Sequence, residues 1–437
     1  MTTRTKFLDS TLIKKGALCG IALIGATALT PAVRAETLEV WSRSGPQAAA
    51  TYQALFNAFT AATGIEVNYL ATVEFETQLR ARASARDLPD VLIYDQSSMA
   101  AYANTGLIVP VNPSEIEGNA HLSDVSWNSV RMANGDYYGV PFSQHPQILF
   151  VRRDWREAVG MEVPTTHDEL LELARAFATG DPDGNGINGD TYGMAVPGTT
   201  DRGFFAWWLY SVLAQRGASY VDGANGKYRV TIDEPEGIAA VEWLQNTIFC
   251  AEPSLAQPGA LTNASATPFF AQGHAGIMQT GPYAFPNLDN APGADVYEVI
   301  FAPAGPGGSN ALEERTSIYF GATSTLPEAQ KRLAEFMISA EGQTIGMTAP
   351  GQPVVRLPVN TTLDAVAIYG DDRWAVAVEQ LAHSDLMPSD IDFTGARLEI
   401  AESFQAIFSR CNDDIEGQVR ALAERIAAEL QLQDALQ

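Results

Sequence analysis

Between Leu38 and Asn104 the chain alternates strand and helix patterns three times, which restricts it to a sheet with parallel or mixed pairing covered by helices. Leu38-Glu39-Val40-Trp41 reads as a strand. Tyr52, Leu55, Phe56 and Phe59 then recur at helical spacing, and Gly64 is placed to stop that helix. Ile65 to Tyr69 alternates as a second strand, Glu74 to Ala85 reads as a polar helix, and Pro89 to Tyr94 as a buried third strand. Met99 to Asn104 predicts a short helix stopped by Gly106. Ligands of such sheets bind beyond the carboxyl ends of the strands, here just after Trp41 and just after Tyr94.

A second α/β section begins near Tyr138, with helical patterns at Asp168–Ala178, Phe204–Gln215, Glu236–Phe249 and Ala329–Ser339. From Arg397 to Leu432 two helices are expected, separated near Asn412-Asp413-Asp414. The 437 residues exceed one ordinary core and suggest two domains.

Residues 1–35 have the order of a secretory signal peptide. Arg4, Lys6, Lys14 and Lys15 form a basic start, Gly16 to Leu29 an apolar run, and Pro31 to Ala35 a small-residue end with cleavage expected after Ala35. The run of 14 residues is short for a membrane-spanning helix, and no later stretch is long enough. The expectation is a periplasmic, monomeric protein that is not itself membrane-inserted. Formal charge is −25, and it becomes more negative once the basic leader is gone. An acidic surface disfavours nucleic acid, whose phosphates need clustered Lys and Arg. Cys250 and Cys411 remain in an oxidising compartment, where two readings stay open: a bridge, or two buried thiols.

The chain lacks HExxH, G-x-S-x-G, P-loop and post-strand GxGxxG patterns, and its five histidines show no metal-ligand spacing. No enzyme activity and no organic cofactor are expected. The loop Asp181-Pro182-Asp183-Gly184-Asn185-Gly186-Ile187-Asn188-Gly189-Asp190 matches the start of an EF-hand calcium loop. Oxygens of Asp181, Asp183 and Asn185, the Ile187 carbonyl and Asp190 would be the ligands of a structural calcium ion. Tyr192 replaces the usual closing Glu, and a plain Asp/Asn/Gly turn is the competing reading. Phe204 to Tyr210 is dense in aromatics, and sugar sites pair aromatic platforms with polar hydrogen-bonders. One of Trp207 and Trp208 is expected to face a cleft, because neighbours on a helix point in different directions. Trp127, Trp155, Trp243 and Trp374 are assigned to packing.

The ordered set of Leu38–Trp41, Thr63–Val67, Pro89-Asp90-Val91, Gly106–Pro110, Tyr138–Pro141, Phe270–Met278, Gly281–Ala284, Ser339–Gln343 and Pro353-Val354 resembles ABC-transporter extracellular solute-binding proteins of family 1. These are sugar-binding proteins similar to maltose-binding protein. The resemblance spans nearly all of the chain after the leader. It implies a two-lobe α/β fold of the type II periplasmic-binding-protein class, with a hinge and a central ligand cleft. Lobe 1 would take residues 36–141 and 302–352, and lobe 2 residues 142–301 and 353–437.

By position, the resemblance implies ligand contacts from Trp41, Arg43 and Ser44 after the first strand, and from Tyr94, Asp95, Gln96 and Ser97 after the third. Ser143, Gln144 and His145 follow the first crossover, and Phe393 and Arg397 precede the C-terminal helices. Tyr283 stands where the family commonly has a stacking Trp, which implies a smaller platform. Arg202, Trp207 and Trp208 join this set. The function so implied is capture of a sugar, polyol or small oligosaccharide for delivery to ABC permease subunits. Arg43, Arg202 and Arg397 keep an anionic solute open as an alternative, and a secreted carbohydrate-active hydrolase is the rival from another class.

Overall fold

The computed structural model describes residues 36–257, 259–411 and 414–437. The proposed leader, 1–35, and residues 412 and 413 of the expected interhelical break lie outside the described residues. The first sheet is built from β1 (Thr37–Ser42), β2 (Glu66–Ala71), β3 (Val91–Asp95) and β4 (Val140–Pro146). The second begins with β5 (Ile148–Arg152) and β6 (Tyr192–Ala195). β7 (Val221–Ala224) and β8 (Lys227–Val230) form a separate hairpin. Its Asn225-Gly226 turn has φ of 54° and 75°, the pair of left-handed residues that tight hairpins need. The remaining strands are β9 (Ala275–Thr280), β10 (Tyr297–Ile300), β11 (Ala311–Phe320), β12 (Leu357–Pro358) and β13 (Ser384–Asp385).

The first sheet runs β12-β4-β11-β3-β1-β2, with β13 on β11, and the second runs β10-β5-β9-β6. β1 pairs in parallel with β2 and β3, as the early alternation requires. β11 inserts antiparallel between β3 and β4, so that Thr316 pairs with both Asp95 and Ser143, and Glu314 with His145. A strand distant in sequence thereby delivers side chains to the carboxyl end of β3.

Local rules explain the main helices. Pro46–Thr63 starts with proline in its first turn and ends at Gly64, whose φ of 75° suits only glycine comfortably. It buries Tyr52, Leu55, Phe56 and Phe59 against the first sheet. His167–Thr179 opens with a capping box from Thr166 and Glu169. The helices Thr394–Arg410 and Ile415–Leu432 occupy the region expected for a C-terminal pair.

Alternate residues of β5 enter different cores: Ile148 and Phe150 join the first, Leu149 and Val151 the second. Only Gln147 separates β4 from β5. Its side chain is bonded to Glu314 of the first sheet and to Ser211 and Gln279 on the other side, which pins the crossover to both.

The expected assignment of all of 353–437 to lobe 2 does not match this pairing. Leu357 and Pro358 pair with Gln144 and Ser143 of β4. Val354, Val355, Val359 and Ala365 are buried in the first core. The apolar stretch after Pro353 completes an edge of the first sheet before the chain leaves it.

Candidate functional site

A cleft of about 230 Å³ lies where β1 and β3 end, walled on its far side by the segment around Arg202 to Trp207 and by Leu386 and Met387. Arg43 and Ser44 come from the turn after β1, and Tyr94, Asp95, Gln96 and Ser97 from the end of β3 and the turn after it. Ser42 fixes the first turn by bonding Ser44 at 2.8 Å and Tyr69 at 2.6 Å. Of the expected residues, His145, Arg202, Trp207 and Tyr283 also line the cleft.

Arg202 spans it. Its Nε donates to Glu76 at 2.9 Å and its Nη2 to Asp95 at 2.7 Å. Arg202 holds φ at 55° and Gly203 at 71°, a left-handed turn that leads into the helix Phe204–Gln215. Gly203 is required there, since an added Cβ would stand 2.7 Å from Arg397 Cγ. Burial raises the Asp95 carboxyl, but the charges of Arg202 and Arg43 outweigh it and hold the group below the ordinary carboxylate range. Tyr94 donates to Glu76 and stacks on Phe75 at 4.6 Å, so its phenol, pushed far upward chiefly by burial, stays protonated.

Trp207 is held between two cations, Arg397 at 4.1 Å and Arg202 at 5.4 Å from its ring. Arg397 is buried and donates to the Arg202 carbonyl at 2.9 Å and to Ser97 at 3.2 Å. Burial, reinforced by the Arg202 charge, brings it down to about 10, so it remains a cation at neutral pH.

On the opposite wall His145 meets Tyr283 edge-on at 5.5 Å, and Arg356 lies 5.7 Å over the same ring. Glu313 is closely paired with Arg315, both buried.

Several expected contacts stand behind the cleft. Trp41 is buried against Phe75 and Arg82, with its indole N–H on Glu39. Ser143 accepts from the Arg356 amide, and Gln144 donates to the Pro358 carbonyl. Phe393 belongs to the second core, and Arg397 supports the wall without lining it. Trp208 points inward, stacked on Phe205 in the second core, while Trp207 takes the cleft side. Trp208→Ala is therefore expected to destabilise the fold by about 3–5 kcal/mol, measured by chemical denaturation. A variant of unchanged stability with lost ligand binding would return Trp208 to the site.

Sequence reasoning missed Tyr52, Phe204, Glu313 to Thr316, Gln352, Arg356, Leu386 and Met387, all of which line the cleft. The unbroken polar run Glu313-Glu314-Arg315-Thr316-Ser317 inside an otherwise apolar strand was the available signal.

Cys250 and Cys411 form a disulfide, which closes the alternative of two thiols. In the Asp181–Asp190 loop, Asp181 accepts from the amides of Asn185 and Gly186, and the Asn185 side chain donates to Asp183 and Asp190. Ile187 has its amide on Asn185 and its side chain exposed. Among the described residues no group of three or more His, Cys, Asp or Glu is arranged to hold a metal ion. Nor, among them, is any helix long and apolar enough to cross a membrane.

Two α/β sheets joined by repeated crossovers, with a polar and aromatic cleft beside the crossover, define a type II periplasmic binding protein fold. The chain belongs to the bacterial extracellular solute-binding proteins, whose family model matches residues 44–344. It is 22% identical over 338 residues to the fructooligosaccharide ABC transporter substrate-binding protein FusA of Streptococcus pneumoniae, covering 71% of this chain and 59% of that one. The chain thus spans less than two thirds of that relative's length. An ABC transporter solute-binding protein of Thermotoga lettingae, solved with alpha-D-tagatose, superposes with a TM-score of 0.77 at 20% identity, covering 91% of this chain and all of that one. The GacH receptor of Streptomyces glaucescens, solved unliganded and with acarbose, superposes with a TM-score of 0.76 at 20% identity, covering 92% and 100%.

Proposed function

We propose that the protein is the substrate-binding component of an ABC importer, capturing a sugar, polyol or small oligosaccharide without chemistry. The observation that carries this is a cleft lined by five aromatic rings, Tyr52, Tyr94, Phe204, Trp207 and Tyr283, among charged and amide side chains from both sides of the crossover. Rings cover the apolar faces of a sugar and the polar groups bind its hydroxyl rim. The carbohydrates named for FusA, the tagatose-bound protein and GacH support the same ligand class. Ligand bridging both walls favours a closed form about the Gln147 crossover, and a membrane permease receives that form. On this reading the protein is exported to the periplasm as a monomer, with its leader removed after Ala35.

A thermal-shift screen of sugars, polyols and small oligosaccharides tests the reading. A ligand at 100 times its Kd is expected to stabilise by about 2.7 kcal/mol and to be recovered unchanged. No stabilising carbohydrate across the panel overturns the function, and accumulating product favours a hydrolase. Calcium at the Asp181–Asp190 loop is a separate proposal that rests on the spacing of its oxygens. Running the screen with calcium and with chelator tests it, a higher Tm with calcium being expected and an unmoved Tm leaving only a hydrogen-bonded turn.

A further inference from the structure

The arginines of the cleft are not equivalent. Arg202 is paired with Glu76 and Asp95, and Arg315 with Glu313. Arg43 and Arg356, the other two arginines lining the cleft, have no ion pair among the described residues, and Arg356 is the one that faces a second unpartnered group. Its Nη1 donates to the Val354 carbonyl at 3.3 Å, and its Nε is buried without a hydrogen-bond partner there. Across Tyr283 stands His145, 5% exposed, whose Nε2 is also buried without a hydrogen-bond partner. Glu314 lies 3.6 Å from that nitrogen, beyond hydrogen-bond reach, and accepts instead from Gln147.

The segment carrying Arg356 is tied to the first turn of the Pro46–Thr63 helix. The Gln352 amide donates to the Gln47 carbonyl at 3.1 Å, and Thr51 donates to the Gln352 carbonyl at 2.8 Å. That helix begins at Gly45 with no side-chain cap and no acid in its first turn, and Gly45 and Ala48 line the cleft. Its free amides and dipole add positive potential at the same end. Buried donors without acceptors are rare in folded proteins and are usually met by water or ligand. Here a guanidinium, an imidazole and a helix start line one cleft, Asp95 and Glu313 are each paired with an arginine, and Glu314 keeps one oxygen on Gln147 and the other 3.6 Å from His145.

We propose that this end of the cleft takes an anionic oxygen group, a carboxylate or a phosphate, carried by the sugar. The Arg356 fork suits either group, and the substrate class becomes an acidic carbohydrate. This inference rests on the reading of the cleft as a carbohydrate site.

Isothermal titration of the protein with D-glucuronate, D-gluconate and D-glucose 6-phosphate, against D-glucose and maltose as neutral probes, tests it. At least one acidic probe is expected to bind about ten-fold tighter than either neutral one, and to weaken with added salt. Arg356→Gln should cut the preference for that probe over the neutral sugars about ten-fold. Carboxylate probes binding without phosphate, or the reverse, separates the two sources. Neutral sugars that bind as tightly as acidic ones, or an Arg356→Gln loss shared equally by both, overturns the proposal while the carbohydrate reading stands. Failure of every sugar overturns both. Should Arg356→Gln lower Tm substantially, His145→Gln carries the same comparison.

Discussion

Removal of the Cys250–Cys411 bridge by Cys250→Ser with Cys411→Ser is expected to lower the unfolding free energy by about 4–5 kcal/mol. The two cysteines are 161 residues apart. A closed loop of that length removes enough unfolded-chain entropy to give roughly 5 kcal/mol in the chain-entropy model. The loop leaves the second core at Cys250, passes through β11 and β12 of the first sheet, and returns to the helix Thr394–Arg410. Its constraint therefore acts on chain that builds both sheets. The bond also sits beside a stacked pair, Phe249 on Phe408 at 4.3 Å, whose packing holds the ends together without it. Far-UV circular dichroism in urea, for the oxidised protein and for the double variant, reads the difference. Unfolding free energies that differ by less than about 1 kcal/mol would show that the unfolded chain is already compact between these positions.

The sequence made legible those parts of the fold that depend on local pattern. Val91–Tyr94 declares itself by an apolar run, Leu38–Trp41 by its apolar residues around Glu39, and Pro46–Thr63 by periodicity and its glycine stop. The turns after those strands put Arg43, Ser44 and Asp95 at the cleft because strand ends are where such sheets bind. Glu313 to Thr316 were not legible as site residues, because only the insertion of β11 beside β3 brings them there. Arg356 reaches the cleft through the Gln352 contact with the first helix, some 300 residues away in sequence. The choice between Trp207 and Trp208 needed the helix's rotation, set by packing of Phe205 and Trp208 on Phe249. Phe393 and Arg397 were placed in the right region, but a ring among Ile400 and Phe404 in the second core and an arginine behind Trp207 serve as support.

Arg202→Gln is expected to weaken ligand affinity about ten-fold, equivalent to about 1.4 kcal/mol, and to enlarge the unliganded protein in solution. Arg202 belongs to the segment that leads into the second core, whereas Glu76 and Asp95 belong to the first sheet and its covering helix. Their ion pairs at 2.9 and 2.7 Å hold the cleft walls together. All three side chains keep solvent contact, with exposures of 25, 30 and 42%, so screening limits the pairs to a modest energy. A small bias is enough, because a ligand that binds the closed form loses affinity in proportion to the closed fraction. The clasp should also depend on pH. Asp95 has its carboxyl held low in the folded protein, so its contribution is complete above about pH 4 and is lost as pH falls through the lowered value. Small-angle scattering with and without ligand, at pH 7 and below pH 4, measures the closure directly. The variant should show a larger radius without ligand at pH 7 and recover the compact form when ligand is saturating. A radius and a Kd both unchanged would mean that the contacts of Arg397 with Ser97 and Trp207 hold the walls alone, and that Arg202 only neutralises Asp95.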